Sequence, residues 1–322
     1  MITVTAVVTA YNRADYMEKC IGSLLASVEP GLISVDIIVM DNGSTDGTAE
    51  AARKVSDRVQ VFRTEDNRHF PTVLNEGLAH ALATGSDYII LMNDDTSLMP
   101  GCLNQLVAAA MGHPHSLLTP MQLNYWAPEH IDDVAFDSIR ASRELLEDAL
   151  LGRPLNMVYH MPTLVGAVLM ARRETYERLG MFDALFEFYG IDDDYCNRAR
   201  FIGVELLMAP AARMWHAHGR ISDKREFDKA AWWRRWRQML QARYMLRLKN
   251  PQRSLARNYL SAAAYTVTSS AYHLLKLWPK GALATWRVFG QVLLRNGAIR
   301  KRYRQDFDPA KKLSAPKSTE AA

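Results

Sequence analysis

Residues 35–48 read VDIIVMDNGSTDGT, and this stretch decides the fold. Its first six residues form a short, mainly apolar run of the kind that fills a buried β-strand. The run stops at Asp41, and Asn-Gly and a Ser/Thr-Asp-Gly turn follow at once. A strand ending this way puts a carboxylate and several backbone N–H groups at the mouth of a sheet. That carboxylate can accept a hydrogen bond from a nucleobase imide N–H or a ribose hydroxyl. An ordinary turn in which Ser44 or Thr45 caps the next helix uses similar letters. Asp41 is the residue that points beyond a plain turn.

Working outward, residues 3–9 (TVTAVVT) read as a first buried strand, and residues 15–27 carry helical spacing through Tyr16, Cys20 and Leu24. After the central motif come a short helix (48–55), a third strand (59–62) and a helix (72–82). The fourth strand, YIILM at 88–92, ends in Asn93-Asp94-Asp95. Alternating strands and helices indicate a parallel α/β sheet covered on both faces. Ligands of such sheets bind beyond the carboxyl ends of the strands, so the polar bursts after strands one, two and four converge on one crevice. Further on, an acidic helix is expected around 140–151, a buried strand at 163–171, a helix at 173–179 and a short strand at 204–209. From about residue 227 the chain reads as wholly helical.

Three more clusters carry chemical potential. Asp94 and Asp95 are adjacent carboxylates that repel unless a cation or hydrogen-bond donors neutralise them; hard divalent ions take such oxygen ligands together with diphosphate oxygens. Asp192-Asp193-Asp194 either face water at a helix N-terminus or keep one acid for proton transfer. In Trp215-His216-Ala217-His218, alternation along an extended segment sends the two imidazoles to opposite faces, so one at most is expected at a metal. No G-x-G-x-x-G follows the first strand and no P-loop or G-x-S-x-G elbow occurs, which disfavours dinucleotide dehydrogenases, P-loop enzymes and serine hydrolases of that type.

In their order, these segments resemble the inverting family-two glycosyltransferases of the GT-A fold, particularly the bacterial rhamnosyltransferase-like members, over about residues 3–220. VVTAYNR is similar to the family's opening strand and loop, VMDNGSTDGT to its nucleotide-binding acid motif, and NRHFPTVLNEGLAHA to its N-x-G helix. LMNDDT stands where the family has a D-x-D-type motif and begins with Asn93. GAVLMARRETYERLGMFDALF is similar to the acceptor-side strand, helix and G-x-F-D corner. IDDDYCNRAR replaces E-D-x-D-x-x-x-R with Ile191 in the Glu position, and APAARMWHAHG stands at the terminal histidine. The resemblance implies a GT-A α/β domain with a Rossmann-like mixed sheet and a nucleotide-diphosphate sugar as donor. Asp41 would contact the base with Thr9 and Tyr11 in the same pocket, Arg68 would approach the diphosphate or base, and Asp94 would hold the donor ribose or sugar. Asp95 and His216 would serve a Mn2+ or Mg2+ site, and Asp192, or Asp193 by a one-residue shift, would be the general base for a glycan or lipid-linked acceptor. A sugar-nucleotide nucleotidyltransferase shares the sheet but needs a basic Gly-rich loop after strand one, which YNRAD lacks. A non-catalytic glycan-binding relative would not need Asp95, Asp192 and His216.

The overall net charge of +4 hides a split. Residues 1–219 hold 16 basic and 29 acidic side chains, and residues 220–322 hold 23 basic and 6 acidic ones. A boundary near residue 220 is therefore expected, with a GT-A catalytic domain before it and a basic helical region after it. Lys and Arg beside apolar faces, with Trp232, Trp233, Trp236, Trp278 and Trp286, suit a peripheral contact with an anionic membrane, or packing in a homo-oligomer. No recognised nucleic-acid module is present, and nucleic acid is not expected as a partner. Three scattered cysteines suit a reducing compartment. MITVTAVVTAYNR reads as a strand rather than a leader, and residues 258–275, with seven polar residues, do not read as a spanning helix. The expectation is a cytoplasmic protein on the inner face of the cell membrane.

Overall fold

The computed structural model describes residues 1–29, 31–218 and 229–313. In chain order the elements are β1 (Ile2–Ala10), α1 (Ala14–Ala26), β2 (Ile33–Asp41), α2 (Thr48–Val55), β3 (Val59–Arg63), α3 (Phe70–Ala83), β4 (Tyr88–Asn93), β5 (Thr96–Leu98), α4 (Cys102–Gly112), β6 (Ser116–Asn124), α5 (Asp133–Ile139), α6 (Arg143–Leu150), β7 (Tyr159–His160), β8 (Val168–Arg172), α7 (Arg173–Leu179), α8 (Ile191–Ile202), β9 (Glu205–His216), α9 (Lys229–Leu248), α10 (Leu255–Leu275), α11 (Pro279–Leu294) and α12 (Asn296–Asp306), followed by a 3-10 turn, Pro309–Lys311.

The chain divides into two compact units, Met1–Ala184 with Glu205–Arg225, and Leu185–Val204 with Glu226–Ala322. The boundary expected at residue 220 lies outside the described residues. The stretch carrying α8 groups with the C-terminal helices, although it precedes β9 in sequence.

The first unit is built on one sheet in the order β3-β2-β1-β4-β8-β6-β9-β5, with β7 beside β9. The first four strands in chain order run parallel, as the buried apolar runs require. β8 then pairs antiparallel with β4 and β6, while β6 and β9 are parallel, so the sheet as a whole is mixed rather than parallel throughout. Val8, Ile37, Val39, Ile90, Met170 and Leu207 lie in its apolar core. On the other side α3 approaches closely at Gly77: a Cβ there would stand 2.5 Å from Val7 Cγ1 and 2.8 Å from Met40 Cγ.

Two expected strands change length. The stretch expected as a strand from 163 is regular only at β8, because residues before Val168 take part in the loop that receives the Asn93 N–H at the Ala167 carbonyl. β9 runs seven residues further than expected. Its pairing with β6 skips residues 210–212, a bulge that accommodates Pro210 and lets the ladder resume at Arg213 opposite Met121. That extension carries His216 to the sheet edge where β5 begins.

The second unit is helical. Tyr244 of α9 is buried, and its hydroxyl meets Thr266 Oγ1 of α10 at 2.9 Å. Trp278 closes on Gly281 of α11, where a Cβ would stand 2.3 Å from its ring. Among the described residues no helix is long and apolar enough to cross a membrane.

Candidate active site

The parallel register sets the site. Ala10 pairs with Asp41, and Thr9 pairs with Asn93, so the carboxyl ends of β1, β2 and β4 finish side by side. Asp41 is fully buried. Its Oδ1 accepts the Ser44 N–H at 3.0 Å, and its Oδ2 faces Arg63 Nε at 3.5 Å. Thr9 Oγ1 and Asp41 Oδ2 are buried with no hydrogen-bond partner among the described residues. Buried polar atoms are ordinarily satisfied, so these two fit a ligand that offers N–H or O–H groups at this edge. Tyr11, which is 42% exposed, follows on the same edge.

Ser44 and Thr45 do not cap α2, although Asp46 accepts the N–H of its first residue, Thr48, at 3.0 Å. Gly47 occupies its N-cap position with no side-chain bond. The Ser/Thr/Asp letters after Asp41 instead fasten the loop after β1. Ser44 Oγ accepts the Asn12 N–H at 2.9 Å, Thr48 Oγ1 accepts the Arg13 N–H at 2.8 Å, and Asp46 accepts the Ala14 N–H at 3.0 Å. Asn12 reciprocates by accepting the Thr45 N–H at 2.9 Å. Gly43, at φ 73°, lets the 64–68 loop pack against this turn: a Cβ would fall 2.4 Å from the Asp66 carbonyl carbon. Asn42 locks that loop through the Arg68 N–H and carbonyl, both at 2.8 Å.

Asp94 accepts the Tyr11 N–H at 3.0 Å and stands 3.5 Å from Arg13 Nε. Burial, and after it the Asp95 charge, pushes its carboxyl up to about 7 against the pull of Arg13 and the Tyr11 amide. Asp95 is buried. Antiparallel pairing of Thr96 with His216 brings His216 Nε2 to 3.4 Å from Asp95 Oδ1. The Asp95 carbonyl accepts the Ala217 N–H at 2.9 Å, which fixes this corner.

A third acid closes the group. Asp132, fully buried, caps α5 by accepting the Val134 and Ala135 N–H groups, and its Oδ2 lies 4.0 Å from His216 Nδ1 and is hydrogen-bonded to His218 Nε2. His216 Nδ1 makes no hydrogen bond among the described residues. The expectation that the two histidines diverge is corrected here. β9 ends at His216, His218 takes φ 51°, and the two rings meet at 3.9 Å between centroids. Asp132, His216 and His218 bring ligand atoms within 4.8 Å of one another. With Asp95 they form a set of two carboxylates and two imidazoles, a donor set that fits a divalent transition ion.

The other expected residues are placed as follows. Arg68 forms a two-pronged pair with Glu76, at 2.9 and 2.5 Å, and this contact, foremost, raises its guanidinium further. Arg63, which the sequence reading did not single out, is the guanidinium beside Asp41; its signal was the end position of β3, one strand over from Asp41. In the second unit, α8 starts after Gly190 (φ 78°) with three acids in its first turn. Asp192 is half-buried and Asp193 exposed. Asp194 is buried, 3.2 Å from Arg198 and 2.7 Å from Lys249, so it serves an ion-pair cluster.

A crossed α/β sheet with acids at its carboxyl edge, followed by helices, is the GT-A arrangement of sugar-nucleotide transferases. Residues 5–128 match the family described as Glycosyl transferase family 2, and the chain is a glycosyltransferase similar in sequence to a rhamnosyltransferase. The N-acetylglucosaminyl-diphospho-decaprenol L-rhamnosyltransferase of Mycobacterium tuberculosis is 26% identical over 238 residues, 65% of this chain and 74% of that protein. The fold is shared with the mannosyltransferase PcManGT of Pyrobaculum calidifontis, solved with GDP-Man and Mn2+: TM-score 0.53, 18% identity, 91% of this chain and 86% of that one. GalNAc-T7, solved with UDP, GalNAc and Mn2+, gives TM-score 0.53 at 13% identity, over 87% of this chain and 59% of that one.

Proposed function

We propose that this protein transfers one sugar from a nucleoside-diphosphate donor to a hydroxyl of a cell-envelope glycan or lipid-linked acceptor, with inversion and with Asp192 as general base. The observation that carries the donor half is the meeting of Asp41, Asp94 and Asp95 with His216 at one sheet edge. Thr9 Oγ1 and Asp41 Oδ2 would receive the base or ribose, with Tyr11 beside them, and Asp94 would accept from a ribose or sugar hydroxyl. Arg68 would reach the diphosphate only by releasing Glu76.

Asp95, His216 and Asp132 would hold Mn2+ or Mg2+, which when bound offsets the negative charge developing on the departing diphosphate. The acceptor hydroxyl, with a pKa far above 7, needs a base within hydrogen-bond reach as it attacks the anomeric carbon. Of three adjacent acids, Asp194 is committed to cations and Asp193 faces water, which favours Asp192. One such carboxylate suffices for a single displacement; retention would require a second as nucleophile. The related rhamnosyltransferase, named for a lipid-diphosphate acceptor, supports the acceptor class.

The basic second unit, with Leu274, Leu275, Leu277, Trp286 and Leu294 exposed, would lie on an anionic membrane surface. Co-sedimentation of the full chain with anionic but not zwitterionic vesicles is the expected result. For the chemistry, Asp192→Asn is expected to keep the nucleotide-sugar thermal shift with Mn2+ and to lose turnover. Near-normal turnover in that variant would remove Asp192 as the base.

A further inference from the structure

Where α9 ends, the second unit carries an open cleft of about 320 Å3 lined by Asn197, Leu246, Arg247, Asn250, Arg253 and Ser261. Arg247 is half-buried, lies over the Tyr265 ring at 3.8 Å and donates to the Arg243 carbonyl at 3.0 Å. Arg253 donates to Ser261 Oγ at 3.0 Å. Neither Arg247 nor Arg253, nor the adjacent Arg243, forms an ion pair with a carboxylate among the described residues; they meet neutral oxygens and an aromatic ring. Asp306, an acid of the neighbouring α12, is already shared by Lys249, Arg198 and Arg302.

The cleft is held in shape from behind. Asn258, fully buried, donates to the Leu248 and Asn250 carbonyls at 3.1 and 2.9 Å and so fixes the turn between α9 and α10. Burial, above all, and the neighbouring Arg243 and Arg253 charges disfavour the cationic form of Arg247, against Tyr265 and Tyr244. A like-charged guanidinium cluster without a counter-charge is costly, and an anion removes that cost. Two guanidiniums with an amide and a hydroxyl supply more donors than one carboxylate can accept, and planar guanidinium forks match phosphate oxygens.

We infer that this cleft binds a phosphate or diphosphate group, free or borne on a lipid. The inference rests on the proposed function for its biological setting, because a lipid-linked acceptor carries such a group. It locates that group on α9 and α10, in the second unit, whereas the carboxylates assigned to the donor belong to the first.

The test uses the full chain in EDTA, so that no metal draws the probe to the donor edge. Calorimetric titration with inorganic pyrophosphate, and co-sedimentation with phosphatidic acid against phosphatidylcholine vesicles, separate a free anion from a lipid headgroup. Wild type is expected to bind at least one of the two probes, and the Arg247→Gln/Arg253→Gln variant to bind it at least about tenfold more weakly. Arg253→Gln alone, a change on an exposed side chain, is expected to weaken it in the same direction with an unchanged melting temperature. Asp41→Asn is expected to bind the probe as wild type does. Wild-type binding by the double variant, or no binding of either probe by wild type, overturns the cleft. Either result leaves the transferase reading standing, since that falls only if the wild type transfers no sugar from any nucleotide-sugar donor.

Discussion

Lys249 Nζ stands 2.7 Å from Asp194 Oδ1, and both side chains are about 1% exposed. Lys249 also reaches Asp306 at 2.8 Å, and Arg198 contacts both acids. Burial raises the Asp194 carboxyl, while Lys249 and Arg198 draw it back toward the charged form. This cluster binds the helix of the proposed base to the end of α9 and to α12. Removing Lys249 takes the nearest cation from both buried acids and leaves them to Arg198 and Arg302, a loss of up to about 3–5 kcal/mol. Lys249→Met is therefore expected to lower the urea unfolding free energy by that amount. Because the residues share one network, adding Asp306→Asn should cost less than the two single changes summed. A Lys249→Met loss below about 1 kcal/mol, within the range of exposed pairs, contradicts this account.

Asp132 combines two roles that separate by mutation. Asn caps helices nearly as well as Asp, whereas Ala costs about 0.5–2 kcal/mol at such a position. Asp132→Asn should thus stay closer to wild-type stability than Asp132→Ala. Both should weaken the Mn2+-dependent rise in melting temperature, by about 10–100-fold in Mn2+ concentration, the range typical for groups supporting a metal site. An unchanged Mn2+ titration of Asp132→Asn would remove Asp132 from the site.

Asp46 supplies a pH test. Although burial opposes it, the Thr48 side chain and the Ala14 and Thr48 amides hold its carboxyl below the usual 3.8. A carboxylate lowered by folding adds stability that is present above its unfolded value and lost as pH falls through the folded one. The difference in melting temperature between wild type and Asp46→Ala should be full at pH 7 and shrink below about pH 4. An equal gap at pH 7 and pH 3 is the contrary result.

The first four strands and the meeting of Asp41, Asp94 and Asp95 were legible because the signals are local. Each buried run announces a strand, and alternating helices force its carboxyl end to one edge. His216 was legible through its place after an apolar strand, but its neighbours were not. Asp132 arrives through the stretch after β6, whose pairing with residues around His216 joins positions far apart in sequence. His218 turns back through one left-handed residue, which period-two reasoning does not anticipate. Arg68 was read without its partner because Glu76 stands eight residues on, beyond the helical spacings that reveal pairs. The three acids of α8 looked alike in sequence. Asp194 is set apart by its ion pairs with Arg198, one helical spacing on, and with the distant Lys249, which sequence spacing does not reveal.

The grouping of α8 with the C-terminal helices means that the chain passes between its two units three times, after Ala184, Val204 and Arg225. The two units are consequently not interchangeable modules. Recombination that swapped only the residues beyond 220 would leave Asp194 and Arg198 facing a foreign helix without Lys249 or Asp306. New C-terminal helices would therefore have to be inherited together with a matching α8, so the proposed base and its supporting helices would evolve as one cassette despite their separation along the gene.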